Sequence, residues 1–354
     1  MGEKPRKKRE ESTEKTGEKT RKRIERKEER KRKIIVMKDS KMKNSKINDN
    51  KIRNSGLLFL TAFIWGMAFV SQSKGMDYMG PLTFNGTRAI IGSFVLLIYI
   101  LVTRYLGKEK AKPIDWKITL QAGLWCGVAL TVASTLQQFG IKYTTVGKAG
   151  FITTLYIIFV PMAGILFKRR VASIVWVSAI MAAVGMYLLC MTESLYLGTG
   201  DIMVFLCAVV FAAHIMIVDY YSPKTDGVII SCIQFAVCGV VCGLGALIWE
   251  QPTISQLSGG MGSLLYAGVL SCGVAYTLQI VGQKGVNPTV AALIMSLESV
   301  VATVAGWVAY KIGFLSTDQS LTVRQILGCV IVFVAVILVQ LPEEWFCARK
   351  RTKL

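Results

Sequence analysis

From residue 54 onward the chain is a succession of ten long apolar windows, at about 56–74, 81–103, 118–141, 144–166, 171–190, 200–220, 227–249, 261–281, 288–310 and 323–341. The hydrocarbon core of a bilayer is roughly 30 Å thick, so a crossing helix needs about 20 mainly apolar residues. Each window meets that requirement. Lipid offers no partner to backbone N–H and C=O groups, so spans of this length must satisfy their own hydrogen bonds as helices. The expectation is an all-α membrane protein with ten transmembrane helices. A water-soluble domain is excluded, because too much of the chain is apolar in unbroken runs.

Charge is distributed unevenly. Residues 1–53 hold 22 Lys and Arg against 10 Asp and Glu, and the other 301 residues hold 20 against 12. The first 50 residues contain no apolar core region, so the first membrane helix is expected to act as the insertion signal. Basic residues in short loops set orientation. Arg104, Lys108, Lys110, Lys112, Lys117, Lys168, Arg169, Arg170, Lys224 and Lys284 fall on one side, with Arg349, Lys350, Arg351 and Lys353 in the C-terminal tail. Both termini are therefore expected in the cytoplasm, in agreement with an even helix count. The basic N-terminal tail lacks the apolar residues to build a core. It is read as a disordered or charged-helical segment attracted to anionic lipid heads. An alternative is that translation starts at Met37 or Met42. Nucleic-acid binding is disfavoured, since no aromatic platform accompanies the charge.

The chain also resembles itself. Val132 to Lys142 aligns without gaps on Val274 to Lys284, with seven of eleven positions identical, and the register continues to Leu155 on Leu297 and Gly164 on Gly306. That matches spans three and four to spans eight and nine, so the repeat unit is five helices. Five is odd, so the second copy enters the membrane in the opposite sense. Inverted repeats permit outward-open and inward-open states of similar energy around a midplane site. The domains so defined are a basic tail at 1–53, a first five-helix repeat at 54–197, a second at 198–342 and a short basic tail at 343–354.

Particular motifs carry a resemblance. Ala62-Phe-Ile-Trp-Gly-Met-Ala-Phe-Val70 resembles the first-span signature of the EamA family in the drug/metabolite transporter superfamily. Gly80-Pro-Leu-Thr-Phe-Asn-Gly-Thr-Arg-Ala89 is similar to its second span, and Tyr143 to Thr154 followed by Pro161 to its fourth. Ser271 to Gln279 and Asn287-Pro-Thr-Val-Ala291 repeat the pattern in the second half. The resemblance covers about residues 54–342 and implies a secondary transporter of amino acids, drugs or other metabolites, mostly outward. It also implies a central cavity built from spans one, three, four, six, eight and nine, where Trp65, Gln72, Gln137, Tyr156, Gln279 and Glu298 would line it. The acidic residue that the family often shows after spans four and nine is absent here, where Lys168-Arg-Arg and Tyr310-Lys-Ile-Gly stand.

Ionisable groups within spans are costly and usually face a bundle interior or cavity. Glu298 sits near the middle of span nine. It is read as a contact for a substrate ammonium or a proton-coupling site, and alternatively as interhelical hydrogen-bond glue. Tyr156 is its repeat equivalent. His214, the single histidine of the sequence, is either a substrate contact or proton relay, or a packed polar residue. Arg88, a third of the way into span two, either contacts an anion or snorkels to the interface. Lys148, near the start of span four, is expected to snorkel. Gln137, Gln138 and Gln279 are repeat-related amides that either contact substrate or join helices. Gly239 and Gly243 form a G-x-x-x-G, read as close packing inside the bundle or as a homodimer contact.

No cofactor or metal is implied. One histidine cannot make a His-rich site, the nine cysteines form no C-x-x-C pair, and no P-loop is present. The expectation is thus a non-enzymatic, multi-pass plasma-membrane protein that moves a small, amino-acid-like metabolite or drug by alternating access, in the direction of export. Rival readings are a lipid-carrier flippase and a membrane scaffold that transports nothing.

Overall fold

A computed structural model of the chain describes residues 52–106, 114–166, 172–190, 198–315 and 320–340. The basic tail, both candidate internal start sites, the Lys168-Arg-Arg segment and the C-terminal tail lie outside the described residues. Among the described residues the secondary structure is entirely helical.

Eight helices are long and apolar enough to cross a membrane. They are α1 (Ile52–Gly75), α2 (Pro81–Tyr105), α3 (Trp116–Ile141), α4 (Val146–Leu166), α6 (Thr199–Tyr221), α7 (Gly227–Trp249), α8 (Met261–Gly282) and α9 (Pro288–Lys311). Two apolar helices, α5 (Ser173–Cys190) and α10 (Val323–Gln340), coincide with the fifth and tenth sequence windows and are shorter. A short helix at Ile254–Gly259 leads into α8.

Burial is distributed as lipid demands. Phe94, Leu101, Leu124, Ile180, Leu244 and Val330 are exposed, while Asn85, Arg88, Gln137, His214, Gln279 and Glu298 are buried. Exposed apolar area on this scale is incompatible with water and matches a hydrocarbon surround, with the costly polar groups turned inward. Trp116 and Trp249 are exposed at the start of α3 and the end of α7, where amphipathic rings meet the headgroup layer. The chain is a multi-pass membrane protein.

Helix starts follow local chemistry. Pro81 and Pro288 begin α2 and α9, where a missing N–H costs nothing. The Asp115, Thr145, Asp226 and Asn287 side chains each accept a backbone N–H of the first turn, satisfying donors a helix start leaves open. Across the bundle α2 packs on α7, α4 on α9 and α5 on α10, while α3 packs on α6 and α7. On the other side α1 meets α8, with Thr61 Oγ1 donating to Ala275 O at 3.2 Å and Ser71 Oγ to Ser263 O at 2.8 Å. Gly239 and Gly243 face α2: a Cβ added at Gly239 would lie 2.7 Å from Ile90, and one added at Gly86 only 2.8 Å from Gly243 N. The G-x-x-x-G therefore serves packing within the bundle.

Two spans differ from straight helices. α4 breaks at Leu155 into Val146–Thr154 and Tyr156–Leu166, and α9 breaks at Ser296 into Pro288–Met295 and Leu297–Lys311. Thr154 Oγ1 donates to Phe151 O and Ser296 Oγ to Leu293 O. These two bonds fall at positions that the 142-residue repeat offset superposes. Hydroxyls that bond back to the preceding turn bend a helix, and Pro161 removes a further rung from α4. α8 carries a π-helical stretch, Tyr266–Ala275, a geometry frequent at functional sites.

Lys148, near the start of α4, has a charged partner. Its ammonium lies 2.6 Å from Asp201 Oδ2 at the start of α6. Asp201 also accepts the Thr144 hydroxyl at 2.8 Å and the Gly198 N–H at 2.9 Å.

Candidate functional site

The breaks in α4 and α9 bring two polar side chains together. Gly150 of α4 lies against α9, where an added Cβ would be 3.2 Å from the Ala302 methyl. At that crossing Tyr156 Oη donates to Glu298 Oε1 at 3.1 Å. Tyr156 is the first residue after one break and Glu298 the second after the other, and both are buried. They are 142 residues apart, the same offset that aligns the two copies of the repeat.

The pair forms one wall of a cavity also lined by Trp65, Phe69 and Gln72 of α1, Arg88 of α2 and Gln137 of α3. Thr153, Phe211, Ile215, Ser271, Tyr276 and Gln279 complete the lining. Its empty space, the mouth included, is at most about 440 Å³. The π-helix positions one side. A Cβ at Gly92 would lie 2.6 Å from Cys272 Cβ, and one at Gly268 only 3.0 Å from Arg88 O. Two glycines thus let α2 and α8 approach until Arg88 and Ser271 face the same space.

Several lining atoms lack a partner among the described residues: Trp65 Nε1, Gln72 Oε1 and Gln279 Oε1 are buried and make no hydrogen bond. Buried polar atoms left open are costly, so a donor and two acceptors aimed at a cavity are groups that a polar guest would satisfy. Gln137 differs, because its Nε2 donates to Thr153 Oγ1 at 3.2 Å. Gln138 turns away and donates to Gln72 O at 3.3 Å. The aromatic side is tightly built, with the Trp65 and Tyr276 rings 4.5 Å apart and Phe235 5.2 Å from Tyr276.

Of the residues singled out in the sequence, Trp65, Gln72, Arg88, Gln137, Tyr156, Gln279 and Glu298 meet at this cavity. His214 does not line it. Its ring sits 6.1 Å behind Tyr276 and 6.5 Å from Phe211, with Nε2 3.1 Å from Gln234 Oε1. Sequence reasoning gave no role to Tyr276, although the repeat places it on Ser134, nor to Phe69 and Phe211, whose apolar character hid them among lipid-facing neighbours.

Long apolar helices packed around a buried, polar-lined cavity define a class: a multi-pass membrane protein with an internal polar site. Residues 55–191 and 198–341 each match the EamA-like transporter family. The chain belongs to that family and is a membrane transporter. An uncharacterized transporter of Archaeoglobus fulgidus is 30% identical over 288 residues, covering 80% of this chain and 84% of that protein. The uncharacterized transporter YwfM of Bacillus subtilis is 24% identical over 253 residues, covering 70% and 83%. A solved crystal structure shares the fold, with a TM-score of 0.63 at 13% identity over 81% of this chain and 96% of the other.

Proposed function

We propose that this protein is a secondary transporter that exports a small, amino-acid-like metabolite or drug across the plasma membrane by alternating access. In this reading ten helices form two inverted five-helix repeats, 54–197 and 198–342, with both termini in the cytoplasm. The two separate family matches support the repeat, as do the partners α2 with α7, α4 with α9 and α5 with α10, each five helices apart. The basic loops support the orientation, and the outward direction follows the family resemblance.

One observation carries the assignment of the cavity as the cargo site. Glu298 and Tyr156, repeat-related and buried, meet by a hydrogen bond at the break of two crossing helices. A cargo ammonium binds Glu298 beside the Tyr156 hydroxyl. Trp65 Nε1 donates to a cargo acceptor, and Gln72 and Gln279 Oε1 accept from cargo donors. Each half contributes to the site, so rocking one half against the other alters the contacts together. The unsatisfied polar atoms of the cavity support this over an inert scaffold.

The test is the extracellular metabolite profile of cells expressing wild type or Glu298→Gln at matched levels. A compound enriched outside only with wild type is the expected result. Identical profiles from the two proteins would remove Glu298 from the cargo site.

A further inference from the structure

Arg88 is the eighth residue of α2 and is 5% exposed. It does not reach the interface. It lines the cavity that holds Glu298, yet no carboxylate among the described residues lies within the 4.0 Å of an ion pair. Its carbon Cζ stands 5.6 Å from the Phe84 ring centroid. An aromatic face favours a cation but brings no negative charge. A buried guanidinium without an anion is expensive.

The geometry of this group is imposed by Asn85. Asn85 Oδ1 accepts from both Arg88 Nε, at 3.0 Å, and Arg88 Nη2, at 2.9 Å. The two residues are three apart on one helix face, where side chains meet. The orientation of the amide is fixed in turn from two other helices. Asn85 Nδ2 donates to Ser134 Oγ at 2.9 Å, Thr135 Oγ1 at 3.2 Å and Cys242 Sγ at 3.3 Å. A flipped amide would set its NH2 against the guanidinium and lose those acceptors. Guanidinium has five N–H donors in a rigid fork, so holding Nε and Nη2 fixes where the others point.

We propose that Arg88 is a carboxylate-binding subsite of the cargo cavity, and that Asn85 is the positioning residue that makes a carboxylate a requirement for cargo. The proposal rests on reading this cavity as the cargo site and names the chemical class that fits it. Arg88 is the sole cation and Glu298 the sole carboxyl group among the lining residues. A cargo carboxylate matches Arg88 charge for charge, while a phosphate dianion leaves one charge over. Cargo with an ammonium for Glu298 and a carboxylate for Arg88 leaves neither charge alone. An amide at position 85 is essential to this logic. Aspartate there would have nearly the same shape but would neutralise Arg88 from within, and the cargo carboxylate would meet no free charge.

The experiment uses the full-length protein in nanodiscs and ligand-observed NMR with two minimal probes, acetate and methylammonium. Wild type is expected to bind both. Asn85→Asp should weaken acetate by about tenfold or more, the worth of a charge-assisted hydrogen bond, and leave methylammonium unchanged or tighter. Asn85→Ala, which keeps the Arg88 charge and frees its rotamer, should weaken acetate less and leave methylammonium unchanged. Glu298→Gln should show the opposite selectivity. A purely structural role for Asn85 would weaken both probes in parallel, and that result overturns the proposal. So would absence of acetate binding in wild type, or wild-type acetate affinity in Asn85→Asp. If the acetate pattern holds while the export profile of Glu298→Gln matches wild type, the subsite stands and the cargo assignment of the cavity falls.

Discussion

The ion pair between Lys148 and Asp201 joins the start of α4 to the start of α6, one from each half of the chain, and should act as a clasp on that face. Asp201 is 4% exposed and the Lys148 side chain 20%. Exposed pairs are worth roughly 0.2–1 kcal/mol, and breaking a fully buried pair costs about 3–5 kcal/mol. A pair between these limits shifts the closed-to-open balance by about 2 kcal/mol, or roughly 30-fold. The two partners are not equivalent. Asp201→Asn keeps the contacts with Thr144 and Gly198 and leaves a lysine that can turn to water. Lys148→Met strands a buried carboxylate, so it should open the face more. The assay is labelling of a Gln72→Cys reporter by a membrane-impermeant maleimide applied from the side of Lys148. Gln72 lies in the last turn of α1 and lines the cavity. Labelling should accelerate in both single variants, most in Lys148→Met, and slow again in the charge swap Lys148→Asp with Asp201→Lys. Equal labelling rates in wild type and both single variants would refute the clasp.

Two further substitutions probe packing against chemistry. Gly86→Ala would drive a methyl against the α7 backbone at Gly243, at an overpacking cost of about 1–3 kcal/mol; a lowered melting temperature in detergent checks this, with Gly56→Ala, which meets nothing within 4 Å, as the neutral control. His214→Ala leaves Gln234 Oε1 buried without its partner, costing roughly 1–3 kcal/mol; thermal stability should fall while the pH profile of transport per folded molecule stays as in wild type, and a displaced profile would return His214 to the transport path.

What the sequence disclosed and what it withheld have separate physical causes. The spans were legible because lipid forbids unpaired backbone, so hydropathy alone reports them. The meeting of Tyr156 with Glu298 was half legible: the repeat placed them at one position, and only the kinks brought them within a hydrogen bond. Those kinks coincide with hydroxyls bonding back along the helix at Thr154 and Ser296, a local competition that composition does not register. The partner of Lys148 stayed hidden because it is 53 residues away and loop chemistry carries no sign of pairing. His214 drew notice for its rarity, yet rarity does not say which side of Tyr276 a ring occupies. Asn85 left the faintest mark, a lone amide three residues before an arginine in an apolar helix. That spacing was a usable signal, since i and i+3 share a face and an arginine buried in a span needs an acceptor. The symmetry of the repeat is also where its asymmetry becomes informative. Two copies of one residue at the crossing would present the same group to both halves. Here one half presents a phenol and the other a carboxyl already engaged with it. On the proposed reading a cargo cation would share Glu298 with the Tyr156 hydroxyl, which engages only Oε1, so one group from each half would meet at the cargo.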